Sequence, residues 1–342
     1  MKNTWNIAVV GASVMAKLHM DGVNAHPKAT LYAVCDTDPE ALAEAAAEKH
    51  PVKAVSDYRA LVNDPAVDAA VLVVPDKLHP EMTAAFLRAG KAVLCEKPMA
   101  LTAAECAEMM RVEKETGGRL MIGQICRCTP GFIAGKKLVD EGKIGELFFV
   151  ESEYAHNYDH ARGKNDWRVD PDRHCFIGGA CHAVDLLRWI AGDPTEVTAY
   201  ANHKCLPDWP VDDCTVAIYR FPDGVIGKIF CSIGCRRSYT MRTVLYGTRG
   251  TVICDNTSPE ITLYSMDEPF EDGTVDYTRP HVIPVDINNH NATAEIEAFV
   301  DALVTGSPMP VSSEEGAKTV ACAAATVAST RSGAPVKIAY FD

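Results

Sequence analysis

The sequence predicts an α/β protein in two parts: an N-terminal doubly wound parallel sheet and a C-terminal α+β domain with a large open, mainly antiparallel sheet. Through the first third of the chain, short apolar strand patterns alternate with helical patterns, as in parallel sheets with right-handed crossover helices. After about residue 124, strand patterns follow one another through tight turns, which join antiparallel neighbours. The 342 residues are enough for two domains, which we predict at 1–123 and 124–342.

The first half opens with a buried strand at 6–11 and a helix with amphipathic spacing at 14–25. Residues 68–74 are nearly continuous in Ala, Val and Leu, which is typical of a strand covered on both faces. The same alternation predicts further strands at 30–36, 92–96 and 120–123, and further helices at 39–49, 78–89 and 102–116.

In the second half, Pro130 suits the first position of a helix that ends near residue 141. The string Phe221-Pro222-Asp223-Gly224 predicts a hairpin turn, because glycine supplies the positive φ that such turns need. A polar, aromatic loop is expected between 154 and 181. Strands are predicted at 147–154, 196–203, 214–221, 225–233, 243–246, 251–254 and 261–264, and helices at 181–191, 292–304 and 314–329.

Composition disfavours several classes of function. A net charge of −13 argues against nucleic acid and anionic membrane surfaces, which bind clustered Lys and Arg. The apolar run near the N-terminus is too short for a signal peptide and no stretch is long enough to span a bilayer, so a cytoplasmic location is expected. The 13 cysteines show no paired CxxC spacing and are expected to be thiols with packing roles in a reducing compartment.

A glycine-containing turn follows the first strand and opens the first helix, where a dinucleotide-binding fingerprint belongs. Gly11 permits the tight turn, Ala16 allows close helix–strand packing, and Ser13 replaces the glycine that lets the backbone approach the pyrophosphate. The Ser13 hydroxyl is small and can itself donate to a phosphate oxygen. An ordinary strand–turn–helix without a ligand is the alternative. The predicted cofactor-binding residues of this turn are Gly11, Ala12, Ser13, Val14 and Met15.

Asp36 ends the second strand, 25 residues after Gly11, where an acidic side chain accepts hydrogen bonds from the adenosine ribose hydroxyls. A carboxylate there repels a 2′-phosphate, and no arginine stands in the next four positions. NAD is therefore predicted in preference to NADP. The alternative role, capping the next helix, fits Asp38 before Pro39 better.

Two further loops lie at the carboxyl ends of predicted strands, where an open α/β sheet binds its ligand. Pro75 and His79 follow one strand, and Glu96 and Lys97 end the next, so all four are predicted to contact the cofactor. Lys97 precedes a proline, and a cis X-Pro bond there could aim the lysine at the cleft. A solvated surface lysine is the alternative.

Several of these strings together resemble the glucose-fructose oxidoreductase / inositol dehydrogenase / MocA (Gfo/Idh/MocA) family over essentially the whole length. The most specific is Gly-Lys-Ala-Val-Leu-Cys-Glu-Lys-Pro at 90–98. The resemblance implies a Rossmann fold, NAD(P)-dependent oxidoreduction of sugars, cyclitols or their derivatives, and homodimers or homotetramers assembled through the open sheet. It also implies a cis peptide bond between Lys97 and Pro98. The supporting residues are Val10, Gly11, Ala16, His19, Pro75 to His79, Gly142, Gly145 and the segment 292–303.

The same resemblance implies that Lys97 contacts the nicotinamide ribose and the reacting hydroxyl, and that His182 is the catalytic histidine. It also implies that Asp185 is the acidic residue that follows this histidine by three positions. One departure concerns the aspartate that the family commonly carries four residues before the histidine, because this chain has Gly178 there. Either a carboxylate of the preceding loop such as Asp172 replaces it, or the substrate is held differently. Ser13 in the fingerprint is the second departure.

His182 and Lys97 suit hydride transfer from an alcohol. A histidine titrates near neutrality, so His182 can take the hydroxyl proton and return it. An ammonium group on Lys97 stabilises alkoxide character at the same oxygen. Asp185, one helical turn from His182, can orient the imidazole or can pair elsewhere.

The polar loop is rich in side chains that bind sugars through hydrogen bonds and ring faces. A mobile segment or a subunit contact is the alternative for this loop. A zinc or manganese site could use His156, His160, His174, His182 and Asp185, but no tight ligand spacing is present and no metal is predicted. The predicted substrate-binding residues are Arg127, His156, Tyr158, Trp167, Arg168 and Asp172.

We therefore predict an NAD-dependent dehydrogenase or reductase of a sugar, glycoside or cyclitol, a small-molecule enzyme that forms a homodimer or homotetramer. NAD is expected at the carboxyl edge of the first sheet, and the substrate between it and the second sheet. Two alternatives keep the same fold. One is an enzyme that uses NAD transiently to cleave a glycosidic bond without net redox change, and the other is a non-catalytic sensor that binds NAD and sugar.

Overall fold

The computed structural model describes residues 4–341 and contains two compact units. The first unit runs to Gln124 and includes Asn291–Val320, and the second comprises Ile125–His290 and the segment from Ala321 onwards. From the sequence, the second domain is predicted to begin at residue 124, and that division stays a prediction. In the structure Asn291–Val320 groups with the first unit, because its helix packs into the core of that unit.

The strands and helices of the described residues are numbered along the chain. The strands are β1 (Trp5–Val10), β2 (Ala29–Cys35), β3 (Lys53–Val55), β4 (Ala69–Leu72), β5 (Ala92–Glu96), β6 (Leu120–Gly123), β7 (Leu147–Ala155), β8 (Glu196–Asn202), β9 (Cys214–Arg220), β10 (Ile226–Ser232), β11 (Thr240–Gly247), β12 (Gly250–Asp255), β13 (Glu260–Ser265), β14 (His281–Pro284) and β15 (Val336–Lys337). The helices are α1 (Val14–Ala25), α2 (Pro39–Lys49), α3 (Arg59–Val62), α4 (His79–Arg88), α5 (Ala103–Thr116), α6 (Pro130–Asp140), α7 (Cys175–Gly178), α8 (Cys181–Ala191), α9 (Ala292–Thr305) and α10 (Ser313–Ser332).

The six strands of the first unit form a parallel sheet in the order β3-β2-β1-β4-β5-β6. In this doubly wound order the chain changes direction between β1 and β4, which is where such sheets bind ligands. Because all six strands run the same way, their carboxyl ends meet at one edge of the sheet. The loops after β1, β2, β4 and β5 therefore lie side by side, and the predicted parallel sheet is confirmed.

Helix α9 is part of the core of the first unit. Its buried residues Ile296, Phe299 and Val300 pack in one apolar cluster with Ile7 of β1. A Cβ on Gly22 of α1 would lie 3.1 Å from the Ile296 Cβ, so glycine at this position allows α1 and α9 to approach closely. The apolar face of α9 is thereby removed from water together with that of α1.

The nine strands of the second unit form an open sheet in the order β14-β13-β12-β11-β7-β10-β9-β8-β15. Neighbouring strands are antiparallel except β7 and β10, which run parallel to each other. The prediction of a large, mainly antiparallel sheet is therefore confirmed. The parallel pair joins segments of the chain that lie far apart in sequence, and no local turn signals it.

Short elements are the ones that the sequence analysis missed. Strands β3, β14 and β15 and helix α3 span two to four residues, too few to show a periodicity. Helix α7 lies inside the segment that was expected to be a loop. The hairpin turn is confirmed: the Phe221 N–H donates to the Val225 carbonyl at 3.1 Å, and Gly224 has a φ of +90°.

None of the 13 cysteines, all of which lie in the described part of the chain, forms a disulfide. Within residues 4–341, no helix is both long and apolar enough to cross a membrane.

We expect Phe299→Ala to lower the free energy of unfolding by about 3–5 kcal/mol, because it removes a fully buried ring and leaves a cavity in the core. Denaturant titration followed by circular dichroism measures this loss. The matched control is Glu297→Ala on the exposed face of the same helix, for which a change within about 0.5 kcal/mol is expected. A Phe299→Ala variant as stable as the control would contradict the place of α9 in the core.

Candidate active site

The turn after β1 has the geometry of a dinucleotide cradle. Gly11 has a φ of +114°, and a Cβ on it would lie 2.2 Å from the Val73 carbonyl oxygen, so only glycine fits. Ser13 caps α1 by accepting a hydrogen bond from the Ala16 N–H at 3.3 Å. Ser13 and Val14 are exposed at the N-terminus of this helix, where backbone N–H groups and the helix dipole favour a phosphate.

The Asp36 carboxylate is hydrogen-bonded to this turn. Its Oδ2 accepts from the Ala12 N–H at 2.7 Å, and its Oδ1 accepts from the Asp38 N–H at 2.9 Å. Asp36 is half-buried, and a carboxylate has lone pairs for further bonds, so these contacts orient it and leave capacity for ribose hydroxyls. Asp38 caps α2 with Pro39 at the start of the helix, as predicted. Together, the glycine turn, the exposed helix N-terminus and the oriented carboxylate fit NAD.

His79 connects the loops that follow β4 and β5. Its fully buried ring places Nδ1 2.8 Å from the Pro98 carbonyl oxygen and Nε2 3.1 Å from that of Val74. Because carbonyl oxygens only accept, both ring nitrogens must donate, and the ring carries a positive charge. Burial by itself lowers the pKa of His79, but Cys95, Asp76 and the Pro98 carbonyl outweigh burial and raise the pKa to about 9. Direct contact between His79 and the cofactor stays a prediction.

Lys97 and Glu96 stand at the end of β5, at the same sheet edge as the glycine turn. The Lys97–Pro98 peptide bond is cis, as the resemblance implies. Lys97 is half-buried, and so are Pro75 and Met15, two other residues that are predicted to contact the cofactor. The Glu96 carboxylate accepts from the Lys97 N–H at 3.1 Å through Oε2.

The other oxygen of Glu96 belongs to a buried cluster with His19 of α1 and Glu295 of α9. Glu96 Oε1 lies 2.8 Å from His19 Nε2, and Glu295 Oε2 lies 3.9 Å from the same nitrogen. Burial and the neighbouring Glu96 raise the pKa of Glu295 well above its usual value, so it holds its proton. Burial alone would also raise the pKa of Glu96, but the His19 hydrogen bond and the charges of His19 and Lys97 outweigh it and lower the pKa. One carboxylate of this cluster is therefore ionised beside Lys97.

In the second unit, His182 lies in the first turn of α8 with only 2% of its surface exposed. Its Nδ1 is 3.3 Å from Cys126 Sγ, and its ring stacks on Tyr154 with centroids 6.0 Å apart and planes at 23°. Burial, together with neighbouring Tyr158 and Tyr239, raises the pKa of Tyr154 well above its usual value, so the phenol stays neutral. The thiol and the ring hold the imidazole in one orientation.

Asp185, one turn further along α8, faces Arg127. The Arg127 Nε donates to Asp185 Oδ2 at 2.8 Å, and Nη2 donates to Oδ1 at 2.7 Å. The carboxylate is fully buried and this pair is bidentate, which is the strong form of an arginine–carboxylate contact. Of the two roles that the sequence left open for Asp185, the structure favours pairing over orienting the imidazole. Direct catalytic and substrate contacts of Asp185 and Arg127 stay predictions.

The predicted substrate residues His156 and Tyr158 line a cluster of rings beside His182. The Tyr158 hydroxyl lies 2.8 Å from that of Tyr154, and the His156 ring centroid lies 4.6 Å from that of Tyr239. His290 stacks on Tyr239 at 5.6 Å with planes at 12°, and its centroid is 6.3 Å from that of His182. Such a cluster presents ring faces and polar tips together, which suits a polyol. Substrate contact by these residues stays a prediction.

The remaining predicted substrate residues lie in the loop before α7. Arg168 places its Cζ 4.3 Å from the Trp167 ring centroid, and Arg173 places its own 4.9 Å from the same ring. Asp172 is exposed, whereas the next residue, Arg173, is buried and packs against Gly178. Substrate binding by Trp167, Arg168 and Asp172 stays a prediction.

Sequence reasoning missed several of these side chains. Cys126 lies just after β6 and was expected, like the other cysteines, to have only a packing role. No local signal in the sequence marks its contact with His182. Tyr239 and His290 lie far along the chain from the polar loop and join its rings only through the fold. Arg173 lies two residues before the start of α7, and no signal in the sequence predicted that it would be buried.

Comparisons with known proteins support this assembly of features. The family described as "Oxidoreductase family, NAD-binding Rossmann fold" matches residues 5–124, and the "GFO/IDH/MocA C-terminal domain" matches residues 132–253. Inositol 2-dehydrogenase 2 of Saccharopolyspora erythraea is 30% identical over 98% of this chain and 96% of its own length. Inositol 2-dehydrogenase of Rhizobium meliloti is 29% identical over 98% of this chain and its full length.

Solved structures show the same fold. A levoglucosan dehydrogenase in complex with NADH and levoglucosan superposes with a TM-score of 0.90 at 21% identity, covering 99% of this chain and 100% of that chain. At this identity the likeness speaks for the fold alone. Together with the two family matches and the relative at 30% identity, it leads to one conclusion: the chain belongs to the Gfo/Idh/MocA family of NAD-binding oxidoreductases.

Proposed function

We propose that this protein transfers a hydride between NAD and a hydroxyl or ketone group of a sugar, glycoside or cyclitol. The main support for this proposal is the position of Lys97 in the first sheet. Lys97 directly follows β5, the second strand from β1 in a parallel sheet, so it stands at the edge that carries Gly11 and Asp36. The Gly11 turn and Asp36 would hold the phosphates and the adenosine ribose of a bound dinucleotide, and Lys97 stands at the same edge of the sheet.

Relatives support the choice of substrate class. Two of them are named for oxidation of inositol, and a third, 25% identical over 72% of this chain, is a levoglucosan dehydrogenase. The ring cluster around His156 and Tyr158 in the second unit fits polyhydroxylated rings of this kind, since aromatic faces cover apolar C–H patches while hydroxyl and imidazole groups bond to the substrate hydroxyls.

In the proposed mechanism His182 and Lys97 act on one substrate oxygen. NAD, when bound, supplies the hydride acceptor. The His182 imidazole takes the proton of the reacting hydroxyl as the carbon gives up its hydride, and it returns the proton in the reverse direction. The Lys97 ammonium stabilises the negative charge that develops on the oxygen. Cys126 and Tyr154 keep the imidazole oriented, and the Arg127–Asp185 pair holds α8 to the segment that follows β6.

Replacing Lys97 by alanine should lower kcat by at least about 10²-fold, because the charge that stabilises the alkoxide is removed. NAD binding should change little, since the cradle of Gly11 and Asp36 is intact. Formation of reduced nicotinamide with inositols and sugars measures the first effect, and calorimetry with NAD the second. The control is Lys114→Ala on the exposed side of α5, which should keep full activity.

Full activity in Lys97→Ala would overturn the proposed mechanism. If wild-type protein binds NAD and polyol but produces no reduced nicotinamide, products of glycoside cleavage would indicate the redox-neutral enzyme. Their absence would indicate the sensor.

Replacing Asp36 by asparagine should weaken NAD binding by about tenfold and narrow the preference for NAD over NADP. The amide keeps one acceptor for the backbone but loses the charge that binds ribose hydroxyls and repels a 2′-phosphate. Calorimetric titration of NAD and NADP measures both effects. The control is Asp38→Asn, which removes the same charge two residues away and keeps an N-cap side chain. Unchanged NAD affinity in Asp36→Asn would rule out its ribose role.

We also propose that the open sheet of the second unit mediates a homo-oligomer. Its outer face exposes Tyr200, Ile218 and Ile226 on three neighbouring strands, with 76, 43 and 47% of their surfaces accessible. Exposed apolar side chains that share one face of an open sheet make that face a candidate association site. We expect Ile218→Lys to shift the species seen by light scattering toward the monomer, whereas the control Val275→Lys, exposed in a loop, leaves the mass unchanged. An unchanged mass in both would contradict assembly through this face.

A further inference from the structure

Glu96 is a carboxylate on the apolar face of β5. Side chains two residues apart on a strand point to the same side, and Leu94 on this side belongs to the apolar cluster that α1 and α9 share. Glu96 continues this face and is only 8% exposed. Burying a carboxylate is costly unless hydrogen bonds and charges compensate for it. A glutamate at this end of the strand therefore needs partners within the first unit.

Two groups bond to the carboxylate, one through each oxygen. Its Oε1 lies 2.8 Å from His19 Nε2, and because an ionised carboxylate only accepts, the imidazole donates. Its Oε2 accepts from the Lys97 N–H at 3.1 Å. The carboxylate therefore joins α1 to the backbone of the residue that is proposed to act on the substrate oxygen.

The other elements packed against Glu96 do not compete for its bond with His19. On β6, the residue opposite Glu96 is Gly123, which has no side chain. On α9, Glu295 Oε2 lies 3.9 Å from His19 Nε2 and has no hydrogen-bond partner among residues 4–341. Burial and the charge of Glu96 raise the pKa of Glu295 well above its usual value, so this acid stays neutral. The titratable groups that face the Glu96 carboxylate are thus His19, Glu295 and Lys97.

The charge on Glu96 depends on His19. Burial raises the pKa of Glu96, but the hydrogen bond and charge of His19, with the charge of Lys97, outweigh burial and lower it. The coupling is reciprocal, so an ionised Glu96 favours the charged form of Lys97. The ammonium group of the proposed mechanism is therefore supported by a carboxylate that His19 keeps ionised.

We propose that His19 is a positioning residue for Lys97: it holds the Glu96 carboxylate against the Lys97 N–H and acts on the reacting oxygen through these two residues. The inference rests on the proposed function, in which the Lys97 ammonium stabilises the alkoxide. In this role His19 touches neither the cofactor nor the substrate. A contribution to stability alone explains the pair less well, because apolar residues that replace a buried ion pair are often equally stable.

The first test measures kcat with NAD and saturating myo-inositol or levoglucosan for wild-type protein and His19→Leu. Without the His19 donor, burial raises the pKa of Glu96, so at low pH the carboxyl is protonated and loses its hold on Lys97. The variant should have a kcat at least about 10-fold below wild type at about pH 6.5, and within about threefold of it at about pH 9, where Glu96 is ionised again. Titration of His182 is common to both proteins and cancels in this ratio.

A second readout does not depend on turnover. Acetic anhydride acetylates only the neutral form of an amine, so trace labelling followed by mass spectrometry reports the charge of Lys97, with the exposed Lys114 as internal reference. Relative labelling of Lys97 should rise at least about threefold in His19→Leu at about pH 6.5 and match wild type at about pH 9. A change in accessibility alone would raise the labelling at both pH values.

Two further variants separate hydrogen bonding from packing. His19→Gln keeps a neutral N–H donor and should stay within about threefold of wild type at each pH. His19→Asn, whose shorter amide ends before Glu96, should behave as His19→Leu does and replaces it if the leucine variant does not fold.

The control is His26→Leu, which should keep the pH dependence of wild type. His26 follows the last residue of α1, about 10 Å further along the helix than His19. It is also buried, and its Nε2 lies 3.4 Å from an acid of α9, Asp301. The control therefore removes a second imidazole–carboxylate contact between the same two helices.

The outcomes separate this inference from the proposed function. A ratio of kcat between His19→Leu and wild type that is the same at every pH would overturn the role of His19 and leave the oxidoreductase intact. Labelling of Lys97 that does not change in the variant would overturn it as well. If wild-type protein forms no reduced nicotinamide with either polyol, the proposed function fails, and the labelling of Lys97 then decides the role of His19.

Discussion

The cofactor half of this protein depends on the pairing of β1 with β2. The two strands are parallel and place Val10 opposite Cys35, so Gly11 and Asp36 leave the sheet side by side. The Gly11 N–H donates to the Cys35 carbonyl at 2.7 Å, and the Ala12 N–H donates to the Asp36 carboxylate at 2.7 Å. One register therefore sets both the glycine turn and the orientation of the acid, and a shift of either strand would separate them.

Three helices bring buried ionisable groups to the end of β5. His19 comes from α1, His79 from α4 and Glu295 from α9, and each lies within the first unit. Burying such groups costs several kcal/mol unless they are paired or neutral, and here the histidines face acceptors while Glu295 keeps its proton. Such a cluster is weak evidence for stability. Because the cluster lies beside Lys97, a role in fixing the charges around a functional site explains it better than a role in stabilising the fold.

In the second unit, His182 is held in a mostly buried position. Asp185 is the acid nearest in sequence, but both of its oxygens are bonded to Arg127. The imidazole of His182 is instead oriented by a thiol and a tyrosine ring.

The sequence by itself determined what local features encode: the alternating elements of the first sheet, the Gly11 turn, the Asp36 position and the string that ends in Lys97 and a proline. Each depends on periodicity or on the backbone limits of glycine and proline, which act over a few residues. Only the tertiary structure decided the parallel pairing of β7 with β10, the return of α9 to the first unit, and the partners of His182 and Gly178. Those contacts join segments far apart in the chain, and packing and hydrogen bonding across the fold select them, so no local pattern announces them.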